Sequence, residues 1–514
     1  MVEMPRIDQL SQETSARLEE FRRLKGADQL TPERASRLAH DAAAAFMAHH
    51  QAGQDDWADA MTLLCEIATL PDEAVAAAGL NALFSMIVEP LADSFEPQDC
   101  ALYHAAFAHV VQFCRHLPAG QTLDVQLNQF GLRSERDFLA RMQRITKIRK
   151  FDLAQAGRVK KALVLSRVTL GADVEITSII WQKVRRVFPA AEIVLLAGEK
   201  AGELFGGDPK LRLYPLQYQR DGRLINRLSS WLSVVRAVDE QCRGLDSSEI
   251  LVVDPDSRLT QLGLLPVLLD ESRYYFFESR SYRRSGISSL GQLTEQWASD
   301  VFGEGEPLYP CVHLRPDARA FAEALAGAIR ASGGRHLISL NFGVGDNPNK
   351  RVPDPFEQQL VLSLLQAGAT IILDKGAGAG EVLRAEAIVR AVKQQGKRVI
   401  EINEHNAPEI LSSDLYADVF TWHGGIGRFS ALVAHTDQYI GYDSAGQHIA
   451  AALGIPTIVI FAGYSSPLFV QRWRPAGRGV VRCLLVNAQQ LEGQADLDQI
   501  VNDVIDTLQM IKER

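Results

Sequence analysis

Three clusters of residues have types and spacings that could do chemistry, two of them on a phosphate. The first is Asp443-Ser444-Ala445-Gly446, followed by His448. Asp443-Ser444 is a helix-capping pair. The small residues behind it leave the first helical N–H groups uncovered, where the positive end of the helix dipole suits phosphate oxygens. His448 falls on the first turn, from which an imidazole could donate to a phosphate or to a leaving-group oxygen. A capped helix of any α/β domain, with a satisfied histidine, has the same sequence.

The second cluster is Asn341-Phe342-Gly343-Val344-Gly345 with Lys350 behind it. A lone Lys is ordinarily surface charge, but one placed after a glycine-rich strand end suits a diphosphate. Glu381, after the Gly376–Gly380 run, opens the next helix, a common place for an acid. The third is the loop Gly171-Ala172-Asp173, whose carboxylate is either a general base or a helix cap. Arg280, Arg283 and Arg284 surround Tyr282 in a basic loop that could hold an anionic acceptor or simply be solvated. Asp254-Pro-Asp256 has the form of a metal-holding Asp pair but ends a strand, where a turn is the simpler reading. Gly424-Gly-Ile-Gly427 and the Gly376 run both miss dinucleotide spacing, and the chain has no GxSxG, zinc constellation or P-loop.

The elements around these residues read as alternating strands and helices. Gln438–Tyr442, a small-residue helix stopped by Gly454, and Thr457–Ile460 form a βαβ unit. Upstream, Ala162–Ser166, a helix over Val174–Phe188, and Ile193–Ala197 form another. Ile250–Val253 and Tyr274–Phe277 add strands, and Leu259–Leu265 a short helix. Ile338–Asn341, helix Phe356–Gln366, strand Thr370–Asp374, helix Glu381–Gln395 and a last helix Leu497–Lys512 complete the pattern. Residues Ile7 to Ile148 show helical periodicity only, enough for five to seven helices, with Thr31-Pro32 a good start signal. The fold class expected is therefore α/β, two Rossmann-like lobes behind an all-α N-terminal domain, divided as 1–157, 158–330 and 331–514.

The run Asp443-Ser-Ala-Gly-Gln-His448, followed by Ile-Ala-Ala-Ala-Leu-Gly-Ile-Pro456, resembles the signature of the glycosyltransferase family 9 heptosyltransferases, with its glycine one place later, at Gly446. The resemblance spans roughly 160–482 and implies a GT-B architecture that transfers a sugar from a nucleotide diphosphate donor. It implies Asp173 as the base that activates the acceptor hydroxyl, with Ala172 as an extra residue in the family's Gly-Asp. It also implies that Lys350, in Lys350-Arg351-Val352-Pro353 with Val352 where Trp is usual, neutralises donor phosphate. Glu381 resembles the acid that holds the donor ribose. The donor would thus meet Asn341, Gly343, Lys350, Glu381, Asp443, Ser444, Ala445 and Gly446, with His448 beside the leaving group.

The expected protein is an inverting, metal-independent glycosyltransferase, with the nucleotide diphosphate sugar as co-substrate and no other cofactor. Its acceptor would be a glycan, a lipopolysaccharide-type or other lipid-linked glycan, or a protein. A nucleotide-sugar-binding scaffold without catalysis and an epimerase of the same fold are the alternatives.

Bulk properties narrow the classes. The chain has 514 residues, a net charge of −9 and 46% hydrophobic residues, which argues against nucleic acid as a partner. No apolar run reaches the ~18 residues that span a bilayer, so an integral membrane protein is not expected. Met1-Val-Glu-Met-Pro lacks the pattern of a secretory signal, which makes the cytoplasm the expected compartment, with peripheral attachment at the inner membrane face an option. Six scattered cysteines read as reduced core thiols. Between Arg133 and Lys161, ten basic residues face three acidic ones, either a solvated helix and linker or a patch for an anionic surface. Oligomerisation through the helical domain is a further option.

Overall fold

The computed structural model describes residues 7–54, 56–219, 222–345, 347–410, 415–487, 491 and 493–512, so the first residues read above for a signal lie outside it. Strands in chain order are β1 (Lys161–Leu165), β2 (Glu192–Ala197), β3 (Leu211–Pro215), β4 (Ile250–Asp254), β5 (Tyr274–Phe276), β6 (Leu337–Asn341), β7 (Thr370–Asp374), β8 (Val399–Asn403), β9 (Val419–His423), β10 (Gln438–Tyr442), β11 (Thr457–Ala462) and β12 (Val481–Val486). They fall in two parallel, Rossmann-like sheets preceded by a helical region. The chain forms two compact units: residues 1–149 with 216–282, and 150–215 with 283–514.

The first unit is mainly helical. Thr31 accepts from the Arg34 N–H at 3.4 Å and Pro32 occupies the first turn, which starts the helix Pro32–Gln51. Asp72 starts the next long segment, Glu73–Asp93, by accepting from the Val75 N–H at 2.9 Å. That segment is long and apolar enough, by length and composition, to cross a membrane; in this unit its Val75, Leu83, Ile87 and Leu91 are buried in the helical core.

Residues 216–282 join these helices through buried polar ties. Arg280 pairs with Asp256 at 2.6 Å and donates to the Ala92 carbonyl at 2.9 Å, while His104 Nε2 meets the Leu262 carbonyl at 3.2 Å. The helix expected over Leu259–Leu265 is only a 3₁₀ turn, Arg258–Thr260, because Gln261, Leu262 and Gly263 all lie at positive φ. Asp254 shapes that turn by accepting from the Ser257 N–H at 2.7 Å and from the Thr260 and Tyr274 hydroxyls at 2.6 Å. Both carboxylates of Asp254-Pro-Asp256 are thus committed within the fold.

In the second unit β3, β2 and β1 run side by side in parallel, and the larger sheet has the order β12-β11-β10-β6-β7-β9-β8. β10 and β11 are buried along their full length, as their Ile, Val and Tyr content requires of strands covered on both faces. The C-terminal helix Gln494–Lys512 lays Leu497, Val501, Val504 and Leu508 into the same core. The order in which strands are added across the sheet reverses between the parallel neighbours β6 and β10, with Asn341 opposite Gly441. Loops after those two strands therefore open side by side at the topological switch, where ligands of such sheets bind.

Candidate functional site

The loop after β6 is organised by carboxylates. Asn341 donates to Asp374 at 2.6 Å and accepts from the Gly343 N–H at 3.0 Å. Glu381 ties this loop to the one after β7, accepting from the Gly345 N–H at 3.2 Å and from the Ala377 and Gly378 N–H groups at 3.0 and 3.2 Å. A Cβ on Gly343 would stand 2.9 Å from Glu381 Oε1, so a larger residue there would displace the carboxylate that ties the two loops. Burial pushes the Asp374 carboxyl up to about 6, and the negative Glu381 nearby adds to it. At the end of the loop, Lys350 reaches the switch point, with Nζ 2.6 Å from Asp443 Oδ2 and over the Phe469 ring.

Asp443 and Ser444 lead from β10 into the helix Ala445–Ala452. Ser444 is the N-cap by backbone geometry, yet its hydroxyl makes no capping bond. The Ser444 and Tyr439 hydroxyls are buried facing each other, and Gln447 Oε1 is buried without a partner. A buried polar atom without a partner is rare in native folds, and a bound group is one explanation of it. Gly446 is small because the Tyr439 phenol occupies the space of its Cβ.

His448 is buried, with Nδ1 2.9 Å from Glu175 Oε2 and its ring roughly perpendicular to that of Trp473. Glu175 is completely buried and also accepts from the Gly291 and Ala476 N–H groups at 3.1 and 3.0 Å. Burial raises its carboxyl, and the hydrogen bonds from His448 and from the Ala476 and Gly291 N–H groups pull it back. Gly171 packs on the same helix: a Cβ there would lie 3.0 Å from His448 Cδ2 and 3.2 Å from Ala445 Cα. The β1 loop and the helix Ala445–Ala452 are therefore in direct contact. Glu175 escapes a reading of the sequence alone; the available signal was an acid inside the run Asp-Val-Glu-Ile-Thr-Ser-Ile-Ile, which otherwise reads as buried helix.

Residues 425–499, which carry this helix and its flanking strands, match glycosyltransferase family 9 (heptosyltransferase). The match covers that segment, helix and flanking strands included, and no more of the chain. The activity that goes with the family is transfer of a sugar from a nucleotide sugar. No curated protein matches the chain. Solved structures similar to it include a family 9 glycosyl transferase from Veillonella parvula (15% identity, TM-score 0.49, 68% of this chain and 97% of that one). Two others are the Escherichia coli ADP-heptose LPS heptosyltransferase II (16%, 0.43, 69% and 100%) and the E. coli heptosyltransferase WaaC with ADP (13%, 0.43, 67% and 99%). At this distance none of them assigns a role to a residue here.

The remaining residues read for family 9 chemistry are placed as follows. Asp173 follows β1 and is buried; it accepts from Ser166 Oγ at 2.6 Å, the Arg167 N–H at 2.7 Å and Thr177 Oγ1 at 2.8 Å. Burial raises its carboxyl against the lowering effect of those three donors. Gly171, Ala172 and Asp173, expected in a loop, lie in a helix that begins at Leu170, and from it Asp173 braces the loop just before, where Val168 is held at φ 75°. Arg280 is buried in the helical unit by its pair with Asp256, whereas Arg283 and Arg284 belong to the second unit and are exposed, with Arg284 paired to Asp300. Asn341, Gly343, Lys350, Glu381 and Asp443 to Gly446 are gathered at the switch point.

Proposed function

We propose that the chain is an inverting glycosyltransferase that takes its sugar from a nucleoside diphosphate donor, without a metal ion. The observation that carries this reading is the helix end at the switch point: a Ser444 hydroxyl that makes no capping bond, a glycine at Gly446, and Lys350 held 2.6 Å from Asp443. A diphosphate there would meet the helix N-terminus and the Lys350 ammonium, which together offset the charge that develops as the leaving group departs. The acceptor hydroxyl loses its proton to Asp173, its oxygen attacks the anomeric carbon, and the bond from that carbon to the diphosphate oxygen breaks, inverting the centre. The acceptor class proposed is a glycan, a lipid-linked or lipopolysaccharide-type glycan, or a protein.

One observation favours a second reading. All three donors around Asp173 stabilise its anion within the loop, so as placed it is engaged in structure, which suits a nucleotide-sugar-binding scaffold without transfer.

Calorimetric titration with ADP, UDP and GDP tests the shared part of both readings, and one of the three is expected to bind. Product formation from the corresponding nucleotide sugars, with and without EDTA, then separates them. Transfer that survives EDTA supports the enzyme. Transfer lost to EDTA and restored by magnesium or manganese overturns metal independence, and binding without transfer to any acceptor supports the scaffold.

A further inference from the structure

A chain of polar contacts, buried except at its Lys350 end, runs from Glu175 to Lys350. Lys350 Nζ lies 2.6 Å from Asp443 Oδ2; Asp443 Oδ1 accepts from Gln447 Nε2 at 2.6 Å; Gln447 Nε2 lies 3.3 Å from His448 Nε2; and His448 Nδ1 lies 2.9 Å from Glu175 Oε2. The chemistry of the groups fixes every proton in it. An amide oxygen cannot face the Asp443 carboxylate, so Gln447 presents its NH₂ group there, and the second hydrogen of that group points to His448 Nε2. His448 Nε2 must then be an acceptor. Its proton therefore sits on Nδ1 and is donated to Glu175, a carboxylate that three further backbone contacts, from Gly291 and Ala476, hold in place.

We propose that Glu175 is a positioning residue for the donor diphosphate. It fixes His448 as the neutral Nδ1–H tautomer, and through Gln447 and Asp443 it sets where the Lys350 ammonium stands. The second half rests on the proposed function; the first does not. His448 in this state has no proton on Nε2, so it acts by orienting Gln447 and not as a donor to the leaving group. Glu175 and His448 are 273 residues apart, so the chain also ties the β1 loop to the donor side of the site.

Two measurements on the full-length protein test this. The first is a long-range ¹H–¹⁵N spectrum of histidine-labelled protein at pH 8, with His448 identified by the signal lost in His448→Gln. The Nδ1–H tautomer is expected; an Nε2–H tautomer or an imidazolium overturns the proposal. This arm needs no ligand, so it stands even where ADP, UDP and GDP all fail to bind and the proposed function falls.

The second is a double-mutant cycle in affinity for whichever of the three nucleotides binds. Glu175→Gln is expected to weaken binding by about threefold to thirtyfold, as residues coupled through a contiguous network do. In a Lys350→Ala background the same change should have almost no further effect. Equal losses in both backgrounds would mean that Glu175 supports the fold generally and would overturn the link to Lys350. Should Glu175→Gln not fold, Glu175→Asp, which keeps the charge and shortens the reach, carries the same comparison.

Discussion

Lys350 Nζ and Asp443 Oδ2 lie 2.6 Å apart across the topological switch of the larger sheet, one at the end of the β6 loop and the other just after β10. Parallel pairing of β6 with β10 creates this meeting, since Asn341 and Gly441 share a register position and the chain leaves both strands in the same direction. The Lys350 side chain is held at the point where a diphosphate would arrive, so little rotamer entropy is left to lose on binding.

It follows that Lys350→Ala should weaken binding of the best of ADP, UDP and GDP by about tenfold to a hundredfold, the range for losing a hydrogen bond to a charged group. Calorimetry at two salt concentrations checks this, and the parent should show the steeper salt dependence. An unchanged affinity would move the diphosphate away from this helix.

Gly446 offers a test of local geometry by stability. Ala is ordinarily the better helix residue by about 1 kcal/mol. At this position, however, the added Cβ meets the Tyr439 phenol, so Gly446→Ala is expected to destabilise by about 1–3 kcal/mol, as overpacking does. Adding Tyr439→Phe removes the colliding oxygen and should restore at least half of the loss in denaturant unfolding. No recovery in the double variant would place the collision elsewhere.

Much of this architecture was legible in the sequence, and the exceptions have physical causes. The strand, small-residue helix and second strand around Asp443 could be read because short buried elements with a glycine stop carry a strong local pattern; the same holds for helix Phe356–Gln366 and β7. β3 was not visible, because Arg212 and Pro215 break any alternation on a half-covered strand. The segment read as helix from Val174 begins with a π-helical stretch, Asp173–Thr177, which shifts the helical phase and buries all five of its residues, Glu175 among them. Nor does anything local announce that residues 216–282 pack with the N-terminal helices; Arg280 looked like a surface cation and is a buried partner of Asp256.

Glu278 gives the helical unit a predicted pH dependence. Burial pushes its carboxyl up to about 7, the Ser281 hydroxyl pulls it down, and the negative Asp256 adds to the rise. A carboxyl with its folded value above the unfolded one binds more protons when folded. Its contribution to stability is therefore most favourable below about pH 4, declines as pH rises toward 7, and stays low above that, a loss of roughly 3 kcal/mol at most. Glu278→Gln should match the parent at pH 4.5 and exceed it at pH 8 in urea unfolding. The same difference at both values would show that ionisation of Glu278 is not the cause.

Asp173 decides between enzyme and scaffold, and its surroundings set how the test must be built. Its carboxylate accepts from Ser166, the Arg167 N–H and Thr177. Replacement by Asn therefore removes a base and also exchanges one acceptor oxygen for an NH₂ group that the two hydroxyls must rotate to receive. A fall in transfer by itself cannot separate these effects. Thr177→Val supplies the control, because it removes one brace of the loop and leaves the carboxylate basic. As a general base Asp173 should contribute about 10²–10⁴-fold to transfer. Asp173→Asn is thus expected to lose that much while the affinity for the nucleoside diphosphate stays within a few-fold of the parent. Thr177→Val should lower stability by about 1 kcal/mol, the net contribution of one hydrogen bond, and transfer far less. Freed from one donor, the carboxylate becomes more basic, so the pH dependence of transfer in Thr177→Val should shift upward on its acid limb. Equal losses of transfer in the two variants, with no such shift, would mean that the carboxylate works by bracing the β1 loop, and the proton would have to leave the acceptor by another group.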